Sequence, residues 1–267
     1  MPLLGALAVR FREERPFDGM TVAACLHVTA ETAVLARALR AGGARVSLAA
    51  SNPLSTQDDI AAALSAEDGV TVFARAGVDR RTYYEHIALA LGTDGAPAPD
   101  LVIDDGGDLM NTLHTERADV LDRVRGGCEG TKTGVLRLRR MAAEGALAFP
   151  VIAASDTPVK RLVDNTRGTG QSVIDGLLRS SGVMLAGKSV VVAGFGACGT
   201  GIAECARGLG ARVLVTEVDP VRALDAVLRG FRVLTLAEAA PLGEVFITAT
   251  GTAEVITAEH KIGRAHV

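Results

Sequence analysis

The sequence predicts an α/β protein of two domains, a parallel-sheet domain followed by a truncated Rossmann-type domain, and three observations carry that reading. Short apolar runs alternate with helical patterns along almost the whole chain, as parallel strands covered on both faces require. One such run leads directly into a glycine-rich turn and a new helix. The 267 residues are enough for two modest domains that each bury a core without disulfide staples.

The elements follow in chain order. Met1-Pro2-Leu3-Leu4 opens a short helix that soon carries Arg10, Arg12, Glu13 and Glu14, unlike the basic-then-apolar order of a signal peptide. Segments 21–25, 45–49, 70–73 and 101–103 read as buried strands, brief and mostly rich in Val, Ile or Leu. Segment 31–40 repeats apolar residues at helical spacing and stops at Gly42-Gly43; helical repeats return at 134–146 and 172–178. After Ser180-Ser181-Gly182 the alternation tightens: strand 190–193, helix 198–208, strand 212–216, strand 244–248. A first domain is therefore placed at 1–170 and a second at 171–261, with the helix at 171–178 connecting them.

Composition narrows the function. Twenty-eight basic residues against 31 acidic ones leave a net charge of -3, with no broad positive field and no acidic tail. A small-molecule ligand is expected rather than a nucleic acid. The uncharged stretch 189–203 is too short and too rich in glycine to span a membrane, so the cytoplasm is the expected compartment. Cys25, Cys128, Cys198 and Cys205 form no CxxC or Cys/His ligand spacing, so they read as reduced thiols and no metal site is expected.

The clearest chemical signal is Gly194-Phe195-Gly196-Ala197-Cys198-Gly199, between an apolar strand and a helix. There the glycines permit a tight turn, approach of backbone N–H groups to a pyrophosphate, and close helix packing. Glu217, at the end of the next strand, can accept from both ribose hydroxyls and would repel a 2′-phosphate, which favours NAD over NADP. Arg222 could instead accept a phosphate, or simply be solvated; a purely structural glycine turn is the alternative to the whole site.

Asp104-Asp105-Gly106-Gly107-Asp108 closes another apolar run. Acids at such strand ends serve as a general base, as caps of the next helix, or, less readily, as Mg²⁺ ligands. His27 ends the first strand, where a lone histidine is more often structural. Lys160 and Asp164 share a helical face, where a surface ion pair is the plainer reading. Glu129-Gly130-Thr131-Lys132-Thr133-Gly134 has the look of a ligand loop but is too short for a P-loop.

Together these motifs are more specific than any one of them. Cys-Leu-His-Val-Thr at 25–29, Ser-Asn-Pro-Leu-Ser-Thr-Gln-Asp-Asp at 51–59, Asp-Asp-Gly-Gly-Asp at 104–108, Lys160 with Asp164-Asn165, and Gly-Thr-Gly-Gln-Ser at 168–172 resemble the adenosylhomocysteinase family in order and spacing. The resemblance runs from Met1 to about Lys261. It implies NAD-dependent, reversible hydrolysis of a nucleoside thioether, S-adenosylhomocysteine, to adenosine and homocysteine in a cytosolic homotetramer or dimer. The implied route oxidises the ribose 3′-OH, removes the acidified C4′ proton, expels homocysteine, adds water and returns the hydride.

By the same resemblance Lys160 and Asp164 hold the 3′-oxygen, Asp105 and His27 act in the acid/base steps, and Thr29 and Glu129 help bind substrate. Thr131, Lys132, Thr133 and Asn165 reach the nicotinamide half of the cofactor. Gly194, Gly196, Gly199, Glu217 and Arg222 hold its other half. Departures stand out: Gly130 replaces a glutamate that contacts ribose, and Ala197, Thr200 and Thr252 depart from the usual glycine-loop and following residues. They motivate an alternative, a catalytically silent nucleotide-binding homologue. A third, a hydroxyacid dehydrogenase sharing the cofactor fold, is disfavoured by the first-domain motifs.

Compared with the family, the chain lacks a first helix and much of its C-terminal part, so it reads as a fragment. Lys261-Ile-Gly-Arg-Ala-His-Val267 back-translates to AAG followed by ATCGGAAGAGCACACGTC, which resembles a sequencing-library adapter, so 262–267 is expected to be a non-native tail.

Overall fold

Alternating apolar runs resolve into ten parallel strands among the described residues, 1–92 and 97–260 of the computed structural model. The expected tail at 262–267 lies outside the described residues. The chain divides into two compact units, Met1–Ser155 and Asp156–Val267.

The first unit runs α1 (Pro2–Glu14), β1 (Thr21–Leu26), α2 (Ala30–Ala41), β2 (Arg45–Ala50), α3 (Asp58–Ala66), β3 (Thr71–Phe73), α4 (Arg80–Ala90), β4 (Leu101–Asp104), α5 (Asp108–Thr115), β5 (Gly126–Glu129), α6 (Lys132–Ala143) and β6 (Val151–Ala153). Its strands pair in the order β3-β2-β1-β4-β5-β6. Every residue of β1 is buried. Because successive side chains point to opposite faces, Ala23 and Cys25 join a core with Leu109, Met110 and Leu113, while Val22, Ala24 and Leu26 join another with Leu39, Leu48 and Leu64.

Strands β5, β6 and β9 are absent from the sequence reading: β5 carries no apolar run, β6 is a three-residue Val-Ile-Ala and β9 has two residues. Gly126-Gly127-Cys128-Glu129 is a poor strand former alone. Its neighbours require the glycine: a Cβ at Gly127 would stand 2.8 Å from Met110 Cε.

The second unit begins with α7 (Pro158–Lys160), a π-helical segment Arg161–Gly168 and α8 (Thr169–Ser181). There follow β7 (Ser189–Ala193), α9 (Ala197–Gly208), β8 (Arg212–Thr216), α10 (Pro220–Leu228), β9 (Arg232–Val233), α11 (Leu236–Ala239) and β10 (Val245–Thr248). The sheet order is β10-β7-β8-β9. Val190, Val192, Phe195, Ile202, Val213, Val215 and Phe231 form its main core.

Lys160, Asp164, Asn165 and α8 all lie in the second unit, whereas the sequence reading placed the first domain through residue 170. The reason is close backbone packing. A Cβ at Gly201 of α9 would lie 1.8 Å from the Thr166 carbonyl oxygen, and one at Gly170 would lie 2.6 Å from the Gly201 backbone. We expect Gly201→Ala to destabilise the chain by about 1–3 kcal/mol through overpacking against backbone that has no rotamer to yield. Gly208→Ala, at the open end of the same helix with nothing within 4 Å, should be neutral or mildly stabilising. Denaturant unfolding of the two variants measures the contrast.

Candidate active site

Ligands of doubly wound parallel sheets gather beyond the carboxyl ends of the strands, where the strand order reverses. In the first unit that place lies between β1 and β4. The Asp105 N–H donates to the Cys25 carbonyl at 3.0 Å, tying the two strand ends together. His27, just past β1, is exposed, with Nδ1 2.5 Å from Ser55 Oγ. Thr29 donates through Oγ1 to Glu31 Oε2 at 2.6 Å, and that bond holds the Glu31 carboxyl below its ordinary range.

The acid cluster after β4 divides its labour. Asp104 is wholly buried, and its Oδ2 accepts from the Met110 N–H at 2.9 Å, so capping the next helix is its visible role. Burial pushes its carboxyl up to about 8, against the opposing N–H groups of Met110 and Asp105 and with help from the nearby charges of Glu129 and Asp108. Asp108 accepts from Tyr83 at 3.0 Å and pairs with Arg137 at 2.7 Å. Asp105, half-buried, stands beside Gly130, where a Cβ would lie 2.1 Å from Asp105 Oδ1. The space a larger residue at 130 would need is therefore held by the Asp105 carboxylate.

Glu129 is also fully buried, and its Oε1 accepts from the Gly106 N–H at 2.9 Å, the Thr131 N–H at 2.8 Å and Thr131 Oγ1 at 2.7 Å. Thr131 in turn caps α6 by accepting from the Gly134 N–H at 3.0 Å. Its hydroxyl lies 3.3 Å from that of Thr133, and Lys132 is exposed. Gly134 has no alternative residue, because a Cβ there would fall 2.2 Å from Glu129 Cδ.

In the second unit Lys160 Nζ lies 2.5 Å from Asp164 Oδ2 and 2.7 Å from Asn165 Oδ1. An α-helical reading pairs Lys160 with Asp164 alone. The π-helical turn, with its i→i+5 register, presents residues four and five positions along to the same ammonium.

The glycine turn after β7 faces a cleft of about 700 Å³, a size suited to a cofactor. Gly194 has φ +96°, in the left-handed region, and a Cβ at Gly199 would sit 1.9 Å from the Gly194 carbonyl oxygen. Only bare backbone lets α9 start so close to β7. Around Gly196 a side chain would meet nothing nearer than Arg222 Nη1, 3.7 Å away, which leaves open room for a ligand against the backbone.

Glu217 lines the cleft beside Arg222. Its Oε2 accepts from the Phe195 N–H at 2.6 Å, and its Oε1 from Val218 at 2.7 Å and Asp219 at 3.0 Å. Partial burial opposes its charge, but these N–H groups together with Arg222 outweigh it and hold the carboxyl below its ordinary range. An ionised acceptor next to the turn is what a ribose diol requires. Arg222 is exposed, 3.5 Å from Asp219.

Sequence reasoning missed Ser55, Glu31 and Thr250. The first two lie within or beside motifs already marked, and Thr250 lines the glycine cleft after β10. A threonine-rich turn after a final apolar strand was the available signal. Among the described residues no three His, Cys, Asp or Glu side chains are grouped to hold a metal ion.

Residues 1–122 match the family model for S-adenosyl-L-homocysteine hydrolase, and residues 165–264 match the model for the NAD-binding domain of the same family. Glu129, Thr131, Lys160 and Asp164 fall between the two matches, but the relatives align across them. Adenosylhomocysteinase of Aquifex aeolicus is 53% identical over 260 residues, and S-inosyl-L-homocysteine hydrolase of Methanocaldococcus jannaschii is 51% identical over 260; each alignment covers 97% of this chain and 61% of the relative. The chain thus spans about three fifths of the length of the curated relatives it matches. Among solved structures, dipicolinate synthase A chain from Bacillus subtilis shares the fold with a TM-score of 0.50 at 16% identity, over 86% of this chain and 72% of that one. With both units matched to successive parts of one family and half of the aligned residues identical, the chain belongs to the S-adenosyl-L-homocysteine hydrolase family.

Proposed function

We propose that this chain carries the substrate-binding and NAD-binding parts of an enzyme that reversibly hydrolyses S-adenosyl-L-homocysteine to adenosine and homocysteine. The observation that carries the reading is the Gly194–Gly199 cradle beside Glu217 in a chain half identical to thioether hydrolases. The residues present fit a dinucleotide. Gly194, Gly196 and Gly199 would approach its pyrophosphate, Glu217 would accept from the adenosine ribose, and Arg222 would flank it. Thr131, Lys132, Thr133 and Asn165 would complete the nicotinamide side.

When bound, NAD supplies a hydride acceptor and donor for the ribose 3′ carbon. The chain's own groups manage protons and position. Lys160, held by Asp164 and Asn165, would bind the 3′-oxygen and assist its deprotonation. Asp105 would take the C4′ proton, His27 with Ser55 behind it would serve the C5′ side, and Thr29 and Glu129 would set the substrate and the loops around it. Residues 1–170 would bear most of the substrate site and 171–261 the cofactor site, with Lys160, Asp164 and Asn165 presented from the start of the second compact unit. Four free cysteines suit a reducing, cytoplasmic compartment, and a homotetramer or dimer is proposed on the family resemblance alone. Relatives of nearly equal identity are named for adenosyl and inosyl substrates, so both nucleosides belong in the assay.

Three outcomes are expected. Acid release followed by enzymatic measurement should find NAD near one per chain in this protein or in a version extended to the relatives' length. Gly199→Ala should weaken retention about tenfold or more, roughly 1.4 kcal/mol. NAD in neither length would overturn the reading. In the extended version, Lys160→Ala should lower kcat for S-adenosyl-L-homocysteine by about 10²–10⁴-fold, the usual worth of placed proton transfer. An unchanged rate would remove Lys160 from the chemistry.

A further inference from the structure

Two carboxyl groups lie wholly inside the first unit on neighbouring strands. Asp104 ends β4, Glu129 ends β5, and the two are paired in register. Neighbouring strands run about 4.8 Å apart, so in-register residues project from the same face and these two groups share one piece of interior. Each has one oxygen engaged. Asp104 Oδ2 accepts from Met110, and Glu129 Oε1 accepts from Gly106 and Thr131. Each also has one buried oxygen without a partner, Asp104 Oδ1 and Glu129 Oε2.

Two ionised carboxylates in that position would repel each other in a low dielectric and leave both inward oxygens unsatisfied. A single proton cures both defects, since a neutral carboxyl donates where a carboxylate accepts. We propose that Asp104 and Glu129 share one proton between Asp104 Oδ1 and Glu129 Oε2, and that this pair positions the loop 105–107 and residues 130–131 ahead of α6.

The surroundings favour a protonated Asp104. Burial and the charges of Glu129 and Asp108 push its carboxyl up to about 8. Glu129 already collects three donors on Oε1. From β1, Cys25 faces the pair as a thiol pushed up chiefly by burial; from α4, Tyr83 is likewise pushed up by burial. Cys128 on β5 is raised by burial and by Glu129. Arg137 on α6 brings a positive charge, but its guanidinium engages Asp108 Oδ1, leaving a second buried anion uncompensated. Asp105 adds a further acid at the end of β4.

The consequence is positional. The shared proton holds the ends of β4 and β5 together, which sets Asp105 beside Gly130 and keeps Thr131 at the start of α6. This inference rests on the proposed function only for what those loops do; the pair itself is testable without substrate or cofactor.

Infrared spectroscopy of the chain in deuterated buffer at neutral pH should show the carbonyl stretch of a protonated carboxyl group, fading as pH rises through about 8. Asp104→Asn and Glu129→Gln should each fold and each abolish the band, an amide N–H taking the place of the proton. Asp104→Ala, which offers no donor, should be less stable than Asp104→Asn. The folded group keeps its proton to about pH 8 while the unfolded one releases it near 3.8. Between those values the wild-type folding constant should therefore fall about tenfold per pH unit relative to Asp104→Asn. A band that survives either single substitution, or is missing from the wild type at neutral pH, overturns the shared proton. Should a variant fail to fold, the wild-type titration alone decides. Loss of NAD binding or turnover would leave these readouts unmoved, so the two readings fail separately.

Discussion

One buried carboxylate organises the first unit. Glu129 draws three donors onto a single oxygen, and those donors come from both loops of the candidate site: Gly106 after β4, and Thr131 after its own strand. A buried acceptor left unpaired costs about 1–3 kcal/mol, so the loops are bound to it as firmly as it is to them. The demand spreads outward. Gly134 must lack a side chain to clear Glu129, and Thr131 must carry a hydroxyl to join the carboxylate to the first turn of α6. Asp105, half-buried, is thereby set beside Gly130 at the end of the sheet.

The second unit meets the same problem with backbone in place of charge. Its helices approach through glycine, α9 against β7 at Gly199 and against the π-helical segment at Gly201. Glu217 serves there as Glu129 does in the first unit, collecting N–H groups from Phe195, Val218 and Asp219 at the end of β8. The exposure differs, and with it the protonation behaviour. Glu217 lies at a cleft wall where its donors favour the anion, whereas Asp104 lies where no water reaches and burial favours the acid.

Much of this was legible in the chain. The glycine turn is visible because its flanks, an apolar strand and a helix, are contiguous with it. The strands β1, β2, β7 and β8 are visible because each is buried on both faces and so reads as an apolar run. Strand β5 was not legible, since Gly126 and Gly127 serve neighbours far away in sequence and make no pattern of their own. Nor was the pairing of Asn165 with Lys160, which depends on a π turn that no spacing announces.

Local order alone therefore determined the α/β class, the dinucleotide turn and the motifs that tie the chain to its family, because strand periodicity and glycine turns are written in adjacent residues. Tertiary structure decided which acid of the Asp104-Asp105 pair is wholly interior and which is only half-buried, where the second unit begins, and why Gly134 and Gly201 are glycines. Those outcomes depend on burial and on approaches between residues distant in sequence, and neither quantity exists until the sheets have formed.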